Sequence, residues 1–491
     1  MAAEFRGAGG SAGGAGDAGA GGAGAAGGAG GTGGAEAGGA GAAKPVQYAA
    51  QVSSPLINGN AQLTVTDRSL CVTALFDAVE IAFIRISALA LRDYCVIVSS
   101  ADGEFSFARL GNWCQPFYDA LCASYNQAVL RSLFVREKPL LAACGDVTVV
   151  DGLAGGGAGA GAGMGAAGMA AAKVPIYIFS NCVVSLPPDL GARRVPLCFL
   201  DGLEKGDFSL TLRIGATERY SYAKLGYDTD GFAALVEERL RALREESLAV
   251  VSQLDPSLTA VQAAQIAKLL PQGAAASYAQ LEAIAPSFVA AWEKSLAATR
   301  AADYFAALKG LSGTEQVYIG FRQAEAVAEG GRSADGVGAG GAGSAGGGGA
   351  GDATDGSDAA GNKPADAAGS PGPRPDAGTF WMIVPSPDKQ YATVEFAVAD
   401  TATFVYRTDG DYDDFVQLLN RALEAIGFHR EAIWMADEEL LKPENADYCM
   451  AAQRTFALQA VRSHFIGRVI HSSVEAWKQR LLQIWSGSLA K

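Results

Sequence analysis

Phe105-Ser106-Phe107-Ala108-Arg109-Leu110-Gly111 recurs almost residue for residue as Tyr220-Ser221-Tyr222-Ala223-Lys224-Leu225-Gly226. In both copies a phenylalanine follows six residues after the glycine, at Phe117 and at Phe232. A match of this length, with the same spacing to an aromatic residue, indicates an internal repeat. A third and more divergent copy runs Phe404-Val405-Tyr406-Arg407 and is followed by Phe415.

Each of the three phenylalanines opens a stripe of apolar residues at helical spacing. The stripes are Phe117, Leu121, Tyr125 and Ala128; Phe232, Leu235, Val236, Leu240 and Leu243; and Phe415, Leu418, Leu419, Ala422 and Ile426. Asn112, Asp228 with Asp230, and Asp413 with Asp414 come shortly before them. Such residues favour helix N-termini as caps and through the helix dipole. We therefore predict three amphipathic helices that begin just before their phenylalanines.

Upstream of the helices the apolar period changes from 3.6 residues to two. The alternating sets are Leu63 and Val65; Phe208, Leu210, Leu212 and Ile214; and Val394, Phe396 and Val398. Short turn signals such as Asn58-Gly59, Thr66-Asp67-Arg68, Asp102-Gly103 and Asp201-Gly202 separate these runs and leave no room for crossover helices. The pattern predicts half-buried antiparallel strands, and hence an α+β chain of tandem β-meander modules, each closed by a C-terminal amphipathic helix.

Three tracts, at 7–43, 153–172 and 324–378, consist almost entirely of glycine, alanine, serine and a few acids. They lack the branched and aromatic side chains whose burial would offset the cost of ordering a chain, so we predict that they are disordered. Strand-like segments flank the second and third tracts. These two tracts are therefore expected to occupy the first hairpin loop of modules two and three, where long loops add little closure entropy.

The sequences 62–70 and 79–86, together with the sheet-then-helix order, resemble the pleckstrin-homology-like superfold, in particular its bacterial and GRAM-type members. The resulting organisation is a tail at 1–44, module one at 45–138, module two at 139–250, a helical extension at 251–310, module three at 311–430 and a second helical extension at 431–491. Both extensions contain an Ala-Trp pair, at Ala291-Trp292 and Ala476-Trp477. Whether the extensions are true repeats is left open.

The resemblance implies binding of phosphoinositide headgroups, peptides or proteins. In the lipid-binding members, lysine and arginine on the first hairpin loop contact the phosphates. Here that loop has no basic residue before Lys173 in module two, and acids such as Glu325 and Asp352 outnumber bases in module three. Acidic side chains repel an anionic surface. Binding of a protein partner is therefore favoured over membrane contact.

The chain carries 52 acidic and 38 basic side chains, a formal net charge of −14, and no basic cluster that would indicate nucleic-acid binding. Eight cysteines lie at positions 71, 95, 114, 122, 144, 182, 198 and 449 and form no CxxC pair. They are interpreted as buried, reduced core thiols, which favours a cytoplasmic location. No apolar leader follows Met1, and charged residues interrupt the most apolar segment, 70–99, so no membrane span is predicted.

No nucleotide-binding, hydrolase or zinc-protease motif occurs outside the low-complexity tracts, and no catalytic residue, cofactor or metal ligand is assigned. His429, His464 and His471 are interpreted as helix-surface or interface residues, the last two on one helix face. The acids Asp409, Asp411 and Asp413 are interpreted as a turn and a helix cap rather than a calcium loop. Two aromatic sets are expected to pack beneath their helices: Phe105, Phe107, Trp113 and Phe117, and Tyr220, Tyr222, Tyr227 and Phe232.

The preferred function is a non-catalytic interaction scaffold of unknown oligomeric state; the alternatives are a lipid-headgroup module and an enzyme with an unrecognised site.

Overall fold

A computed structural model describes residues 46–150, 173–215, 218–299, 301–312, 316–322, 379–397, 402–408 and 410–487. The predicted Gly/Ala tracts at 7–43, 153–172 and 324–378 lie outside these residues. Within them the chain is a mixed α+β protein with three antiparallel sheets, which confirms the fold class at this level.

The first sheet has seven strands in the order β4-β3-β2-β1-β7-β6-β5. The strands are β1 (Gln47–Ser53), β2 (Asn58–Val65), β3 (Ser69–Ala74), β4 (Ala78–Ala82), β5 (Ile86–Arg92), β6 (Cys95–Ser100) and β7 (Gly103–Ala108). Burial alternates along β1 and β2, so one face of the sheet lies on the core and the other faces outward. Helix α1 (Cys114–Ser132) follows and covers the core face with Phe117, Leu121 and Tyr125, which are fully buried.

The second sheet has seven strands in the corresponding order β11-β10-β9-β8-β14-β13-β12. The strands are β8 (Leu141–Val150), β9 (Val174–Ile178), β10 (Cys182–Ser185), β11 (Arg193–Pro196), β12 (Gly202–Gly206), β13 (Ser209–Ile214) and β14 (Glu218–Ala223). Helix α2 (Asp228–Leu254) follows the last strand, as α1 does in the first sheet. Strands β8 and β9 pair in antiparallel fashion, and the tract at 153–172 lies between them in the sequence.

The motif at 105–111 and its copy at 220–226 share a backbone turn and an aromatic contact. Arg109 and Lys224 have φ angles of 60° and 59°, in the left-handed region that side chains with a Cβ seldom adopt. Phe117 lies 5.9 Å from Phe107 between ring centroids, and Phe232 lies 5.9 Å from Tyr222. The motif therefore turns the chain from the last strand into a helix whose phenylalanine rests on that strand.

The third sheet differs from the other two because its six strands follow in chain order. They are β15 (Ala276–Ser277), β16 (Tyr318–Arg322), β17 (Thr379–Pro385), β18 (Tyr391–Ala397), β19 (Ala402–Arg407) and β20 (Phe465–Ile470). Strands β16 and β17 pair in antiparallel fashion, and the tract at 324–378 lies between them in the sequence. Helix α7 (Tyr412–Ala425) follows β19 and buries Phe415 against Tyr406, with ring centroids 5.2 Å apart.

Helices cover both faces of the third sheet. Trp381 and Phe396 belong to the core that includes α7, whereas Phe380 and Met382 belong to the core that includes Trp292 and Trp477. The segment with Val394 and Phe396 is a strand, β18, as predicted, but the prediction that it is half-buried is wrong because both of its faces are buried; Val398 lies outside the described residues. Successive side chains of β18 alternate between two faces that are both covered by helices. Glu395 is therefore fully buried although it lies on the opposite face from Phe396.

The predicted helical extensions are mostly helical. The first contains α3 (Ala260–Leu269), α4 (Tyr278–Ile284), α5 (Pro286–Ala297) and α6 (Ala302–Ser312), and the second contains α8 (Glu431–Trp434), α9 (Asp437–Leu440), α10 (Ala446–Arg454), α11 (Phe456–His464) and α12 (Val474–Trp485). Two short strands contradict an all-helical reading. β15 lies in the first extension, and β20 lies in the second, where its β-branched residues pair with β19.

Several local expectations are corrected. No side chain caps α1, α2 or α7, although the acids of α2 and α7 do lie in the first turn, where they favour the helix dipole. Trp113 and Tyr227 do not pack under their helices; they lie at the N-cap position and are 62% and 102% exposed. Phe208 lies in a turn with φ of 54° and is 60% exposed, and Asn58-Gly59 begins β2 instead of forming a turn.

The cysteines are only partly core residues. All eight are unpaired, as predicted. Cys114, Cys182 and Cys449 are buried, four others are half-buried, and Cys144 is exposed. Cys144 sits on the outward-facing side of β8, where the strand's alternation places it, so the core interpretation fails for that residue.

Candidate functional site

A groove of about 460 Å³ crosses β1, β2 and β3 of the first sheet. Its lining consists of small or uncharged polar residues, one leucine and a single cation: Ala49, Ala50, Gln51, Asn60, Ala61, Gln62, Thr73, Ala74, Leu75 and Arg109. Strand pairing sets these residues side by side, because Gln62 lies opposite Ala49 on β1 and opposite Thr73 on β3. Amide and hydroxyl groups of this kind both donate and accept hydrogen bonds, as an extended peptide backbone requires.

An exposed apolar pair lies at one end of the groove. Leu75 and Phe76 occupy the turn between β3 and β4 and are 85% and 90% exposed. Single exposed apolar side chains are ordinary, but an adjacent aliphatic and aromatic pair beside a groove is typical of an anchor for a partner. Neither residue belongs to the sets predicted from the sequence; their signal is an apolar pair in the turn just before Asp77.

Arg109 supplies the charge of the groove. It makes no ion pair with any residue that the structure describes. Lys224, at the matching place in the second sheet, forms an ion pair of 2.6 Å with Asp146. The two sheets differ at one position of the neighbouring strand. Asp146 of β8 lies opposite Ala223, next to Lys224, whereas the matching residue in the first sheet, opposite Ala108 and next to Arg109, is Gln51 of β1. The first sheet therefore presents a cation without a carboxylate where the second sheet neutralises it.

The first hairpin of the first sheet offers little to a lipid phosphate. Residues 54–57 connect β1 and β2 and contain no lysine or arginine. The Ser54 side chain instead organises this connection, accepting from the Ile57 amide at 2.9 Å and donating to the Ile57 carbonyl at 2.9 Å. In the part of the chain that the structure describes, no helix is both long and apolar enough to cross a membrane.

A buried glutamate–histidine cluster lies on the third sheet. Thr403 Oγ1 donates to Glu395 Oε2 at 2.5 Å, and His471 Nε2 lies 3.2 Å from the same oxygen. Trp477 Nε1 donates to Thr403 at 2.9 Å, and the Tyr304 ring stacks on the imidazole at 3.9 Å. These contacts join β18, β19 and α12; the Glu395 side chain is fully buried and that of His471 is 13% exposed.

The remaining histidines and the aspartates also have structural contacts. His464 ends α11 and His471 follows β20, so the prediction that they share a helix face is wrong. His429 stacks on Phe134 at 4.6 Å. Asp413 accepts from the Tyr318 hydroxyl at 2.7 Å. Asp409 lies outside the described residues, and among those described no group of three or more His, Cys, Asp or Glu could hold a metal ion.

The local charges near the start of α7 are those of a helix N-terminus. Asp411 occupies the N-cap position, and its charge is the main reason that the pKa of Asp414 is raised.

Comparison with known proteins adds no assignment: no protein-family model matches the sequence, and no curated protein matches it. The groove with Arg109, Leu75 and Phe76 is thus the candidate site, on the strength of its own geometry.

Proposed function

We propose that the chain is a non-catalytic, cytoplasmic interaction protein whose first sheet binds an extended segment of a partner protein in the groove. The segment carries a carboxylate that pairs with Arg109 and an apolar side chain that packs on Leu75 and Phe76. The single observation that carries this proposal is the ion pair that Lys224 makes and Arg109 does not. Eight unpaired thiols support the cytoplasmic part of the proposal.

The proposal assigns the first two sheets to the pleckstrin-homology-like superfold. Two seven-stranded antiparallel sheets with corresponding strand order, each closed by the helix that follows the last strand, support this assignment. The third sheet, which is covered on both faces, would then act as the support on which the other two are held. Protein binding is preferred to lipid binding because the 54–57 connection has no basic residue and Arg109 stands alone.

A random peptide library displayed on phage, panned against the full-length protein, tests this function. We expect enrichment of sequences in which Asp or Glu lies near a large apolar residue. Arg109→Ala should weaken binding of an enriched peptide about tenfold or more, since a charge-assisted hydrogen bond contributes about 1.5–3 kcal/mol. The double variant Leu75→Ser/Phe76→Ser should weaken it to a similar degree.

The matched control is Lys224→Ala, which removes the corresponding cation of the second sheet and should leave peptide binding unchanged. Enriched peptides that bind Arg109→Ala as tightly as the wild type would contradict the proposal. The lipid alternative predicts instead that the protein floats with anionic liposomes and that Arg109→Ala abolishes flotation. Retention of the wild type in the soluble fraction removes that alternative.

A further inference from the structure

A second cavity, of about 40 Å³, lies where the second sheet meets the helices around the third sheet. Four arginines line it: Arg193 and Arg194 on β11, Arg421 on α7 and Arg454 at the end of α10. Two carboxylates oppose them, because Glu424 pairs with Arg194 at 2.5 Å and Glu218 pairs with Arg421 at 2.8 Å. Two guanidinium groups therefore remain without a carboxylate partner among the described residues.

Arg454 is the more buried of these two, with 2% of its surface exposed. Its Nη2 donates to the Tyr125 hydroxyl at 2.6 Å, and its Nη1 donates to the Met450 carbonyl at 3.3 Å. Burial raises the pKa of Tyr125, so this partner is a neutral hydroxyl. Nε of Arg454 has no hydrogen-bond partner among the described residues. A buried guanidinium without a counter-charge is costly.

Arg193 repeats this arrangement at the rim of the cavity. Its Nη1 donates to the backbone carbonyls of Leu190 and Ala192, at 3.1 and 2.9 Å, and its Nε has no partner among the described residues. It is half-buried, whereas Arg454 is almost fully buried.

The N-terminus of α11 also faces this cavity, since Thr455, Phe456 and Ala457 line it. No side chain caps this helix. The first amides of a helix have no acceptor within the helix, and the helix dipole places partial positive charge at this end. A helix N-terminus beside buried arginines is the arrangement that binds anions.

We infer that this cavity is a binding site for a small oxyanion of the phosphate type, held by Arg193, Arg454 and the first amides of α11. One water molecule needs about 10–15 Å³ by this measure, so the space suits one compact ion and excludes a nucleotide or a lipid headgroup. The ion would supply the charge that Arg193 and Arg454 lack. It would thereby join the second sheet to α10, whose Arg454 contacts α1 of the first sheet through Tyr125.

Thermal unfolding and titration calorimetry of the full chain test this site. Sodium phosphate, added to a phosphate-free buffer, should raise the unfolding temperature saturably, whereas sodium chloride at the same ionic strength should not. Arg193→Met should weaken phosphate binding about tenfold by removing a charge-assisted donor. Arg454→Met should abolish binding; if that variant does not fold, the half-exposed Arg193 decides the question.

The matched control is Arg219→Met, on the same strand as Glu218 but on the exposed side of β14. This variant and Arg109→Ala should both respond to phosphate as the wild type does, which separates this site from the peptide groove. Equal effects of chloride and phosphate, or unchanged phosphate binding by Arg193→Met, would overturn the inference. Tighter binding of a soluble inositol trisphosphate than of inorganic phosphate would show that the ligand is a headgroup and overturn the assignment to a free ion.

Discussion

The ion pair between Arg194 on β11 and Glu424 on α7 joins the second sheet to the third and is almost fully buried. The two side chains are 6% and 7% exposed, and Nη1 lies 2.5 Å from Oε2. Burial by itself would lower the pKa of Arg194, but the charge of Glu424 and its hydrogen bond raise it above the usual value. Glu424→Gln therefore leaves a charged, largely buried guanidinium without its counter-charge.

The expected loss in the free energy of unfolding is about 3–5 kcal/mol for Glu424→Gln, the cost of a buried charge without its partner. The double variant Arg194→Met/Glu424→Leu removes both charges and should fall within about 1 kcal/mol of the wild type or exceed its stability. The assay is urea unfolding followed by circular dichroism and by tryptophan fluorescence, which reports on the buried Trp292, Trp381 and Trp477.

Arg85 and Asp102 provide a matched control, because their ion pair is also 2.5 Å long but the side chains are 46% and 31% exposed. Asp102→Asn should cost only about 0.2–1 kcal/mol, since water screens an exposed pair. A loss for Glu424→Gln no larger than that for Asp102→Asn would contradict a strong buried ion pair. So would a loss for Arg194→Met/Glu424→Leu equal to the sum of the losses for Arg194→Met and Glu424→Leu measured singly, because the two residues would then act independently.

Two further predictions concern the cores and the thiols. Phe117→Ala and Phe232→Ala should each lower the free energy of unfolding in urea by about 3–5 kcal/mol. Tyr227→Ala, which alters a fully exposed ring, should stay within about 0.5 kcal/mol of the wild type. A similarly small loss for Phe232→Ala would refute the packing assigned to α2. A thiol reagent at pH 8 should modify the exposed Cys144 first and reach Cys182 only on unfolding, as mass spectrometry of digested protein would show. Burial raises the pKa of Cys182 to about 11, above that of an unfolded thiol, so its contribution to stability is complete below about pH 8.5 and is lost as the pH rises through 11.

The sequence predicts the helices and most strands of the first two sheets because period and burial coincide there. Leu210 and Leu212 alternate with exposed-side residues on β13, and Phe117 opens a helix that rests on one face of a sheet. The third sheet breaks this rule. The two-residue repeat of β18 in the sequence is compatible with a strand buried on one face and with a strand buried on both. The second face is buried because helices from other parts of the chain pack on it, which the repeat does not report.

The junction of arginines could not be predicted from the sequence for a different reason. Arg194 and Glu424 are 230 positions apart, and Tyr125 and Arg454 are 329 apart, so no local pattern relates them. The pair Arg193-Arg194 reads as two solvated surface charges until β11 is placed at the edge of its sheet beside α7. Ion pairs between residues of different sheets depend on how the sheets and helices pack together. The spacing of apolar residues indicates only which face of a single helix or strand is buried.

Motif matching also directs attention away from the candidate site. Residues that recur beside both seven-stranded sheets are those that both sheets need in order to fold, such as Leu110 and Leu225, each 3% exposed. A function that belongs to one sheet must instead lie where matching positions of the two sheets differ. Gln51 beside Arg109, in place of Asp146 beside Lys224, is such a difference, and it changes a neutralised cation into one that can bind a carboxylate. Gln51→Asp should therefore close the groove to acidic peptides while leaving the first sheet folded, because it gives Arg109 the partner that Lys224 already has.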